Sequence, residues 1–270
     1  MTPTIFITGT SSGIGKATAQ YFAEQGWNVA ATMRSPERQT GFAAQTNIKV
    51  YPLDVTDTTS ITDAVSNAIR DFDHIDVLVN NAGFSVFGAF EYATPDEIQL
   101  ELDTNLGGVM NMTRAILPHF RQRKGGCIIT ITSIGGLAAF PLFSLYHASK
   151  WAVEGFMESL HYELRQFNIK VKLVEPGAVN TNITHNTLVS RSDTLTAYDS
   201  YVEKVKKNLL NTNPNSYDPP LAVAQTILQA ATDRSSRLRY PVGNAKMMVL
   251  LRRWLPLSLF QRLVSSSNER

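Results

Sequence analysis

The chain has 270 residues, 43% of them hydrophobic, and single α/β domains of about this size are common, so one domain over residues 1–270 with a buried sheet is predicted. The formal net charge is only +2, which excludes the strongly basic surface typical of nucleic-acid-binding proteins. Cys127 is the one cysteine, which excludes an internal disulfide, and no apolar run reaches the roughly 18 residues that a membrane helix needs.

Short apolar runs alternate with amphipathic helical segments along the chain. This alternation predicts a single doubly wound α/β fold, with a parallel sheet of about seven strands and crossover helices on both faces. The first strand begins at residue 4, which leaves no room for a signal peptide and predicts a cytoplasmic protein. Pro118 is expected to kink or shorten its helix. The predicted strands cover 4–8, 28–33, 48–53, 75–79, 126–132, 169–175 and 238–241, and the predicted helices 13–25, 58–72, 95–123, 145–168 and 219–233.

The first strand leads into a glycine-rich turn that opens a helix. Gly9 permits the tight turn, Gly13 lets the backbone approach a pyrophosphate, and Gly15 lets the helix pack closely on the strand. The N–H groups at the helix N-terminus would bind the phosphates. An ordinary tight turn between strand and helix is the alternative. The residues expected at the phosphates beside these glycines are Ser11, Ser12 and Ile14.

The residue after the second strand indicates which dinucleotide binds. Arg34 stands where an Asp or Glu would bind the ribose hydroxyl of NAD. An arginine offers paired hydrogen bonds to a 2′-phosphate, so the sequence favours NADP(H). A solvated loop charge is the alternative. No metal is predicted, because the five histidines show no ligand spacing with cysteines or acids.

Tyr146 and Lys150 lie four residues apart in a predicted helix, and Ser133 follows a predicted buried strand. Positions i and i+4 share a helix face, so Lys150 is expected beside the phenol, where its charge would lower the tyrosine pKa from about 10. Tyr146 would then act as a general acid/base near neutral pH, while the Ser133 hydroxyl polarises a carbonyl. A solvated helix face is the alternative for the pair.

With these motifs in view, the chain resembles the classical short-chain dehydrogenase/reductase family over nearly its whole length. The matching stretches occur in the order and at the spacings of that family. The resemblance implies a Rossmann-like fold and an enzyme that transfers hydride between NADP(H) and a carbonyl or alcohol. The stretches are Thr8-Gly9…Gly13-Ile14-Gly15, Asp54-Val55, Asn80-Asn81-Ala82-Gly83, Asn105, Ser133, Tyr146…Lys150 and Pro176-Gly177…Thr181.

The resemblance also implies roles for residues outside the glycine turn. Asp54 would bind the adenine amino group, with Val55 beside the ring. Asn105 would widen its helix and hold a water linked to Lys150, and a surface-facing asparagine is the alternative. Lys150 would bind the nicotinamide ribose, and Thr181 the carboxamide. The rest of the expected cofactor cleft is Asn81, Ala82, Gly83, Pro176, Gly177 and Val179.

The residues expected at the substrate are mainly apolar, which predicts a lipophilic ketone, aldehyde or secondary alcohol. About half of such residues would instead belong to ordinary packing. Residues 178–220 form a long insert, a length typical of functional lids. His185 in this insert would either touch substrate or stay exposed. The expected substrate contacts are Phe84, Phe87, Ser133, Leu137, Phe143 and Tyr146.

The C-terminal tail, about residues 244–264, has the spacing of an amphipathic helix. It resembles the tails of hydroxysteroid- and retinol-dehydrogenase-like members of the family. The favoured role is covering a sheet edge or the pocket. The alternative is a membrane-surface contact, helped by Arg252 and Arg253.

Two expectations concern assembly and catalysis. The helices at 95–123 and 145–168 are expected to form an isologous interface in a homodimer or homotetramer, as the resemblance implies and as surplus apolar residues in the second helix suggest. The function expected is an NADPH-dependent carbonyl reductase or alcohol dehydrogenase. A non-catalytic NADP(H)-binding redox sensor or scaffold is the alternative, but members of that kind typically lose the tyrosine or lysine.

Overall fold

The computed structural model describes residues 1–38, 41–42, 44–181, 187–210 and 217–268. The strands of these ranges are β1 (Thr4–Ile7), β2 (Asn28–Met33), β3 (Ile48–Pro52), β4 (Val77–Asn80), β5 (Ser85–Phe87), β6 (Gly126–Ile131), β7 (Ile169–Glu175), β8 (Thr187–Val189) and β9 (Arg239–Pro241). Seven of these described strands form one parallel sheet in the order β3-β2-β1-β4-β6-β7-β9, which confirms the predicted doubly wound α/β fold. β5 and β8 form a separate parallel pair that the sequence did not predict.

Helices cover both faces of the central sheet. Successive strand residues point to opposite faces, so Ile5 and Ile7 pack with α1 and α7, whereas Phe6 packs with α2, α4 and α5. Burial on both faces explains why β1, β4 and β6 are mostly apolar in the sequence. In chain order the helices are α1 (Gly13–Glu24), α2 (Thr58–Phe72), α3 (Pro95–Leu102), α4 (Gly108–Arg123), α5 (Ser144–Leu164), α6 (Asp199–Leu210), α7 (Pro220–Thr232), α8 (Ala245–Trp254) and α9 (Leu257–Asn268).

The long helix predicted over 95–123 is interrupted, but not at its proline. A π-helical turn over Asp103–Gly107 separates α3 from α4. Pro118 lies inside α4, which continues to Arg123, so of the predicted kink or shortening, the shortening is wrong. The neighbouring side chains Ile116 and Phe120 are completely buried, and their packing offsets the one helical hydrogen bond that the proline removes.

The described part of the insert lies against the loop that follows β4. β8 pairs with β5, and Val202 and Val205 of α6 pack with Phe87 and Tyr92 in a small apolar cluster. This cluster is separate from the two cores on the faces of the sheet. His185 lies outside the described residues.

The tail forms two helices where the sequence predicted one. α8 ends at Trp254 and α9 begins at Leu257. The break occurs at Pro256, because a proline and the residue before it disfavour a continuing helix. Among the described residues, no helix is both long and apolar enough to span a membrane.

Candidate active site

The glycine turn and the Asn-Asn-Ala-Gly turn after β4 are joined at the carboxyl edge of the sheet. Gly9 has a φ of +71°, in the left-handed region that favours glycine. The Asn81 Nδ2 donates to the carbonyl oxygens of Thr8 and Gly9 at 2.9 and 3.0 Å. The Thr8 Oγ1 accepts the N–H groups of Asn81 and Ala82, both at 3.0 Å. These hydrogen bonds fix the position of the glycine turn in front of α1.

Two of the glycines predicted for this turn stand where a side chain has little or no room. A Cβ on Gly15 would collide with the carbonyl oxygen of Gly9, so only glycine allows α1 to lie this close to β1. A Cβ on Gly13 would lie 3.1 Å from Cγ2 of Thr181. Thr181, which is predicted to bind the nicotinamide carboxamide, therefore lies directly across from the N-terminus of α1. Ser11 and Ser12 are exposed beside it, and Ile14 is half-buried.

Arg34 and Asp54 lie close together at the predicted adenosine end of the cofactor cleft. Arg34 is exposed directly after β2. Burial raises the pKa of Asp54, but hydrogen bonds from the backbone and side chain of Thr56 and the positive charge of Arg34 outweigh it, so the pKa lies below its ordinary value. Val55 is buried, and a Cβ on Gly108 would lie 2.6 Å from its Cγ2. Val55 therefore also packs against the start of α4.

Pro176, Gly177 and Val179 follow β7 on the way to Thr181. The carbonyl oxygen of Pro176 accepts the N–H of Ile134 at 2.8 Å, which joins this segment to the turn after β6. The N–H of Thr181 donates to the carbonyl of Val179 at 2.7 Å. The Val179 side chain is buried in the core on the α1 face.

Ser133, Tyr146 and Lys150 lie close together at the start of α5. The hydroxyls of Ser133 and Tyr146 are hydrogen-bonded. The Lys150 Nζ lies 5.7 Å from the centroid of the Tyr146 ring and donates to the carbonyl of Ile131 at 3.0 Å. Burial lowers the pKa of Lys150 to about 8, against the opposite effect of the Glu101 and Glu154 charges.

The prediction that Lys150 lowers the pKa of Tyr146 is wrong for this structure. Burial raises the pKa of the phenol, the hydrogen bond to Ser133 lowers it, and the charge of Glu101 raises it again, so that the pKa lies above its ordinary value. The Lys150 Nζ donates to a carbonyl and lies over the ring face. Tyr146 is therefore a protonated phenol near neutral pH, a state suited to donating a proton.

Asn105 connects the π-helical turn to this site. Its Oδ1 accepts the N–H of Phe84 at 3.1 Å, and its Nδ2 donates to the carbonyl of Phe84 at 2.8 Å and to the Ser149 Oγ at 3.1 Å. A Cβ on Gly83 would lie 2.8 Å from the Asn105 Oδ1 and 4.0 Å from the Lys150 Nζ. Asn105 is buried, so the alternative of a surface-facing asparagine is wrong.

Sequence reasoning missed Glu101. It is completely buried in α3, accepts the N–H of Val86 at 3.1 Å and accepts a hydrogen bond from Nδ2 of Asn105 at 3.3 Å. Burial raises its pKa to about 7, although the Val86 N–H and the charge of Lys150 lower it. The available signal was spacing, because Glu101 lies four residues before Asn105 on a shared helix face.

His147 was also missed, and it fixes the turn that follows Ser133. Its Nε2 accepts the N–H of Phe140 at 2.8 Å, so its Nδ1 carries the proton and donates to the carbonyl of Gly135 at 2.8 Å. Burial lowers the pKa of His147, against both hydrogen bonds. The neutral ring holds the backbone on either side of Leu137.

The predicted substrate residues divide between the site and a neighbouring apolar cluster. Phe87 is buried and lies 5.1 Å from Phe143, centroid to centroid, and Phe143 lies 6.4 Å from Tyr146. Phe84 and Leu137 are partly exposed. A cavity of about 500 Å³ is lined by chain neighbours of Phe87 and Phe143, and the predicted substrate residues do not line it. Its walls are Gly88, Ala89, Phe90, Glu91, Leu142, Ser144, Tyr198 and Tyr201.

Known proteins resemble this chain in sequence and in fold. A family profile described as short chain dehydrogenase matches residues 3–191. 3-Ketodihydrosphingosine reductase of Bacteroides thetaiotaomicron is 37% identical over 264 residues, which cover 95% of this chain and 94% of that protein. A short-chain dehydrogenase from Streptomyces avermitilis has a TM-score of 0.84 at 30% identity, covering 100% of this chain and 97% of that one. ElxO with NADP bound has a TM-score of 0.75 at 26% identity, covering 92% and 100%.

Proposed function

The chain belongs to the short-chain dehydrogenase/reductase family, and we propose that it is an NADPH-dependent carbonyl reductase acting on a lipophilic ketone or aldehyde. The reverse reaction would oxidise a secondary alcohol with the same residues. One observation carries the proposal: Ser133, Tyr146 and Lys150 meet at the carboxyl edge of the sheet, next to the glycine turn. This edge is where open α/β sheets bind their ligands.

The residues of the cleft fit a dinucleotide. The open backbone from Gly9 to Gly13 would bind the pyrophosphate, and Arg34 would pair with a 2′-phosphate. Thr181, across from Gly13, would bind the carboxamide. When bound, NADPH supplies the hydride. NADP is the cofactor in the ElxO structure, and the exposed guanidinium of Arg34 supports the same choice here.

The side chains of the site supply the proton and the orientation of the carbonyl. Ser133 would donate a hydrogen bond to the substrate oxygen, and Tyr146 would transfer its proton to that oxygen as negative charge develops there. Lys150, whose Nζ lies over the Tyr146 ring, would bind the nicotinamide ribose hydroxyls. Asn105 and Glu101, which are hydrogen-bonded to each other, hold the loop after β4 in place beside these groups.

A lipophilic substrate is supported by the apolar surroundings of the site. The Phe87–Phe143 pair stands next to Tyr146, and α6 covers its other side. The name of the Bacteroides relative makes 3-ketodihydrosphingosine, a long-chain ketone, the first compound to test. A long chain leaving Tyr146 would run along this aromatic pair toward the cavity beside Tyr201.

The test is turnover of a panel of carbonyl compounds with NADPH and with NADH, followed by nicotinamide absorbance. We expect oxidation of NADPH with long-chain ketones, slower reaction with short polar ketones, and a weaker response to NADH. Tight NADPH binding without turnover of any compound would contradict the proposal and favour a redox sensor. A preference for NADH would contradict only the role of Arg34.

A further inference from the structure

The two tail helices leave a row of large apolar side chains uncovered. We call Met247, Leu250, Trp254 and Leu257 the tail stripe. Their exposed fractions are 63%, 51%, 76% and 52%. The first three follow the i, i+3, i+7 spacing of one helix face, so they form a continuous apolar surface along α8 rather than scattered exposed residues.

The two helices that carry the tail stripe also carry positive charge. Lys246, Arg252, Arg253 and Arg262 lie between residues 245 and 268, and that segment contains no Asp or Glu. The Arg253 guanidinium lies 5.9 Å from the centroid of the Trp254 ring, and the Arg252 guanidinium lies 5.7 Å from that of Phe260. Four cations are thus concentrated on two short helices of a chain whose net charge is only +2.

The tail begins at the edge of the sheet that holds the active site. α8 starts just after β9, and a Cβ on Gly177 would lie 3.5 Å from the backbone nitrogen of Ala245. α8 also contacts the turn at 134–136, which follows Ser133. A surface bound to the tail stripe would therefore lie close to the turn that follows Ser133 in the proposed active site.

We propose that the tail stripe and its basic residues bind the surface of an anionic phospholipid membrane, with α8 lying in the plane of the interface. Apolar side chains and a tryptophan would enter the boundary between headgroups and acyl chains, while Lys and Arg side chains pair with anionic lipids. Helices of 10 and 12 residues are too short to span a bilayer. The contact is peripheral, and it does not depend on the proposed reductase activity.

Charge decides between a membrane and a second copy of the chain as the partner of this surface. In an isologous dimer the same patch faces itself, so the four cations of one tail would approach the four of the other. Like charges brought together at an interface oppose association. An anionic bilayer instead neutralises these cations and also accepts the apolar side chains.

The test is co-sedimentation of the full-length protein with vesicles of phosphatidylcholine alone and of phosphatidylcholine with phosphatidylglycerol. We expect binding to the anionic vesicles, loss of that binding at high salt, and little binding to the neutral ones. Each cation near an anionic surface is worth about 1 kcal/mol, so Lys246→Gln with Arg253→Gln is expected to weaken binding roughly 30-fold. Leu250→Ser with Trp254→Ser is expected to weaken binding to the anionic vesicles at least about tenfold.

Two control proteins lose an exposed apolar side chain or two exposed cations outside the tail. Leu221→Ser removes an exposed leucine from α7. Arg121→Gln with Lys124→Gln removes two exposed cations at the C-terminal end of α4, near the opposite edge of the sheet. We expect both control proteins to bind anionic vesicles like the wild type.

Three results would overturn the proposal. One is that the wild type does not bind anionic vesicles, and another is that the tail variants bind as well as the controls. The third is that light scattering gives a lower oligomer for the tail variants than for the wild type, which would make the stripe a contact between copies. The salt titration uses the wild type alone, so its outcome is independent of how the variants fold.

Discussion

Replacing Asn105 by alanine removes the side chain that ties the π-helical turn to the loop after β4. Asn105 holds both backbone groups of Phe84, at 3.1 and 2.8 Å, and also bonds Ser149 and Glu101. A methyl group can make none of these hydrogen bonds. We therefore expect Asn105→Ala to destabilise the fold and to loosen the loop that carries Gly83.

The expected net loss in the free energy of unfolding is about 1.5–3.5 kcal/mol, since a buried polar group left without a partner costs about 1–3 kcal/mol and two groups of Phe84 lose theirs. Phe84 is only partly buried, so water can form hydrogen bonds with the freed backbone groups. The cost of each group therefore lies toward the lower end of that range. Alanine is a better helix former than asparagine, which returns about 0.5 kcal/mol. The loss is a large part of the roughly 5–15 kcal/mol that a domain has.

Urea unfolding measures this loss, and Asn111→Ala is the matched control. Asn111 lies in α4 and makes one long hydrogen bond, 3.5 Å from its Nδ2 to the carbonyl of Val55. The control gains the same helix propensity but removes little else, so its loss should stay below about 1 kcal/mol. Equal stabilities for the two variants, at equal slopes in urea, would refute the importance given to the Asn105 hydrogen bonds.

Three further predictions concern the cofactor, pH and assembly. Arg34→Asp should weaken NADPH binding sharply and NADH binding less, in titrations with both cofactors, because a carboxylate would face the 2′-phosphate. Glu101→Gln should move the loss of reductase activity at high pH to lower pH in rate profiles, because the Glu101 charge raises the pKa of both Lys150 and Tyr146. Light scattering at micromolar concentration should give a dimer, because α5 exposes large apolar side chains such as Trp151.

Each of these predictions has its own control or contradicting result. Arg70→Asp, at an exposed arginine of α2, should leave cofactor binding unchanged, and a wild-type preference for NADH would sink the role of Arg34. Asp96→Asn makes the same charge change as Glu101→Gln at an exposed site of α3. Identical pH profiles for these two variants would count against the effect of Glu101. A strictly monomeric mass would count against the dimer.

The fold was predictable because the sheet is buried on both faces. A parallel strand with helices on each side is mostly apolar, and the segments that became β1, β4 and β6 read that way. The glycine turn was predictable because Gly9 and Gly15 stand where a side chain cannot. β5 and β8 have three residues each, too few for a recognisable periodicity.

Parts of the candidate site depend on tertiary packing and were not predictable from spacing. Lys150 and Tyr146 share a helix face, but burial sets the direction of the phenol pKa, and burial follows from how α5 packs. Glu101 reads as an ordinary helical acid until Val86 and Asn105 surround it. α6 packs over Phe87, a contact between distant segments that no spacing in the sequence indicates.

Turnover by Tyr146→Phe tests the central claim most directly. The phenylalanine ring keeps the packing of the site and removes only the hydroxyl that would protonate the carbonyl. NADPH binding and thermal unfolding should match the wild type, while turnover of an established substrate should fall by at least about 100-fold, the range of general acid catalysis. Tyr162→Phe, at an exposed position of the same helix, should keep full activity. Substantial turnover by Tyr146→Phe would contradict the assignment of Tyr146 as the proton donor.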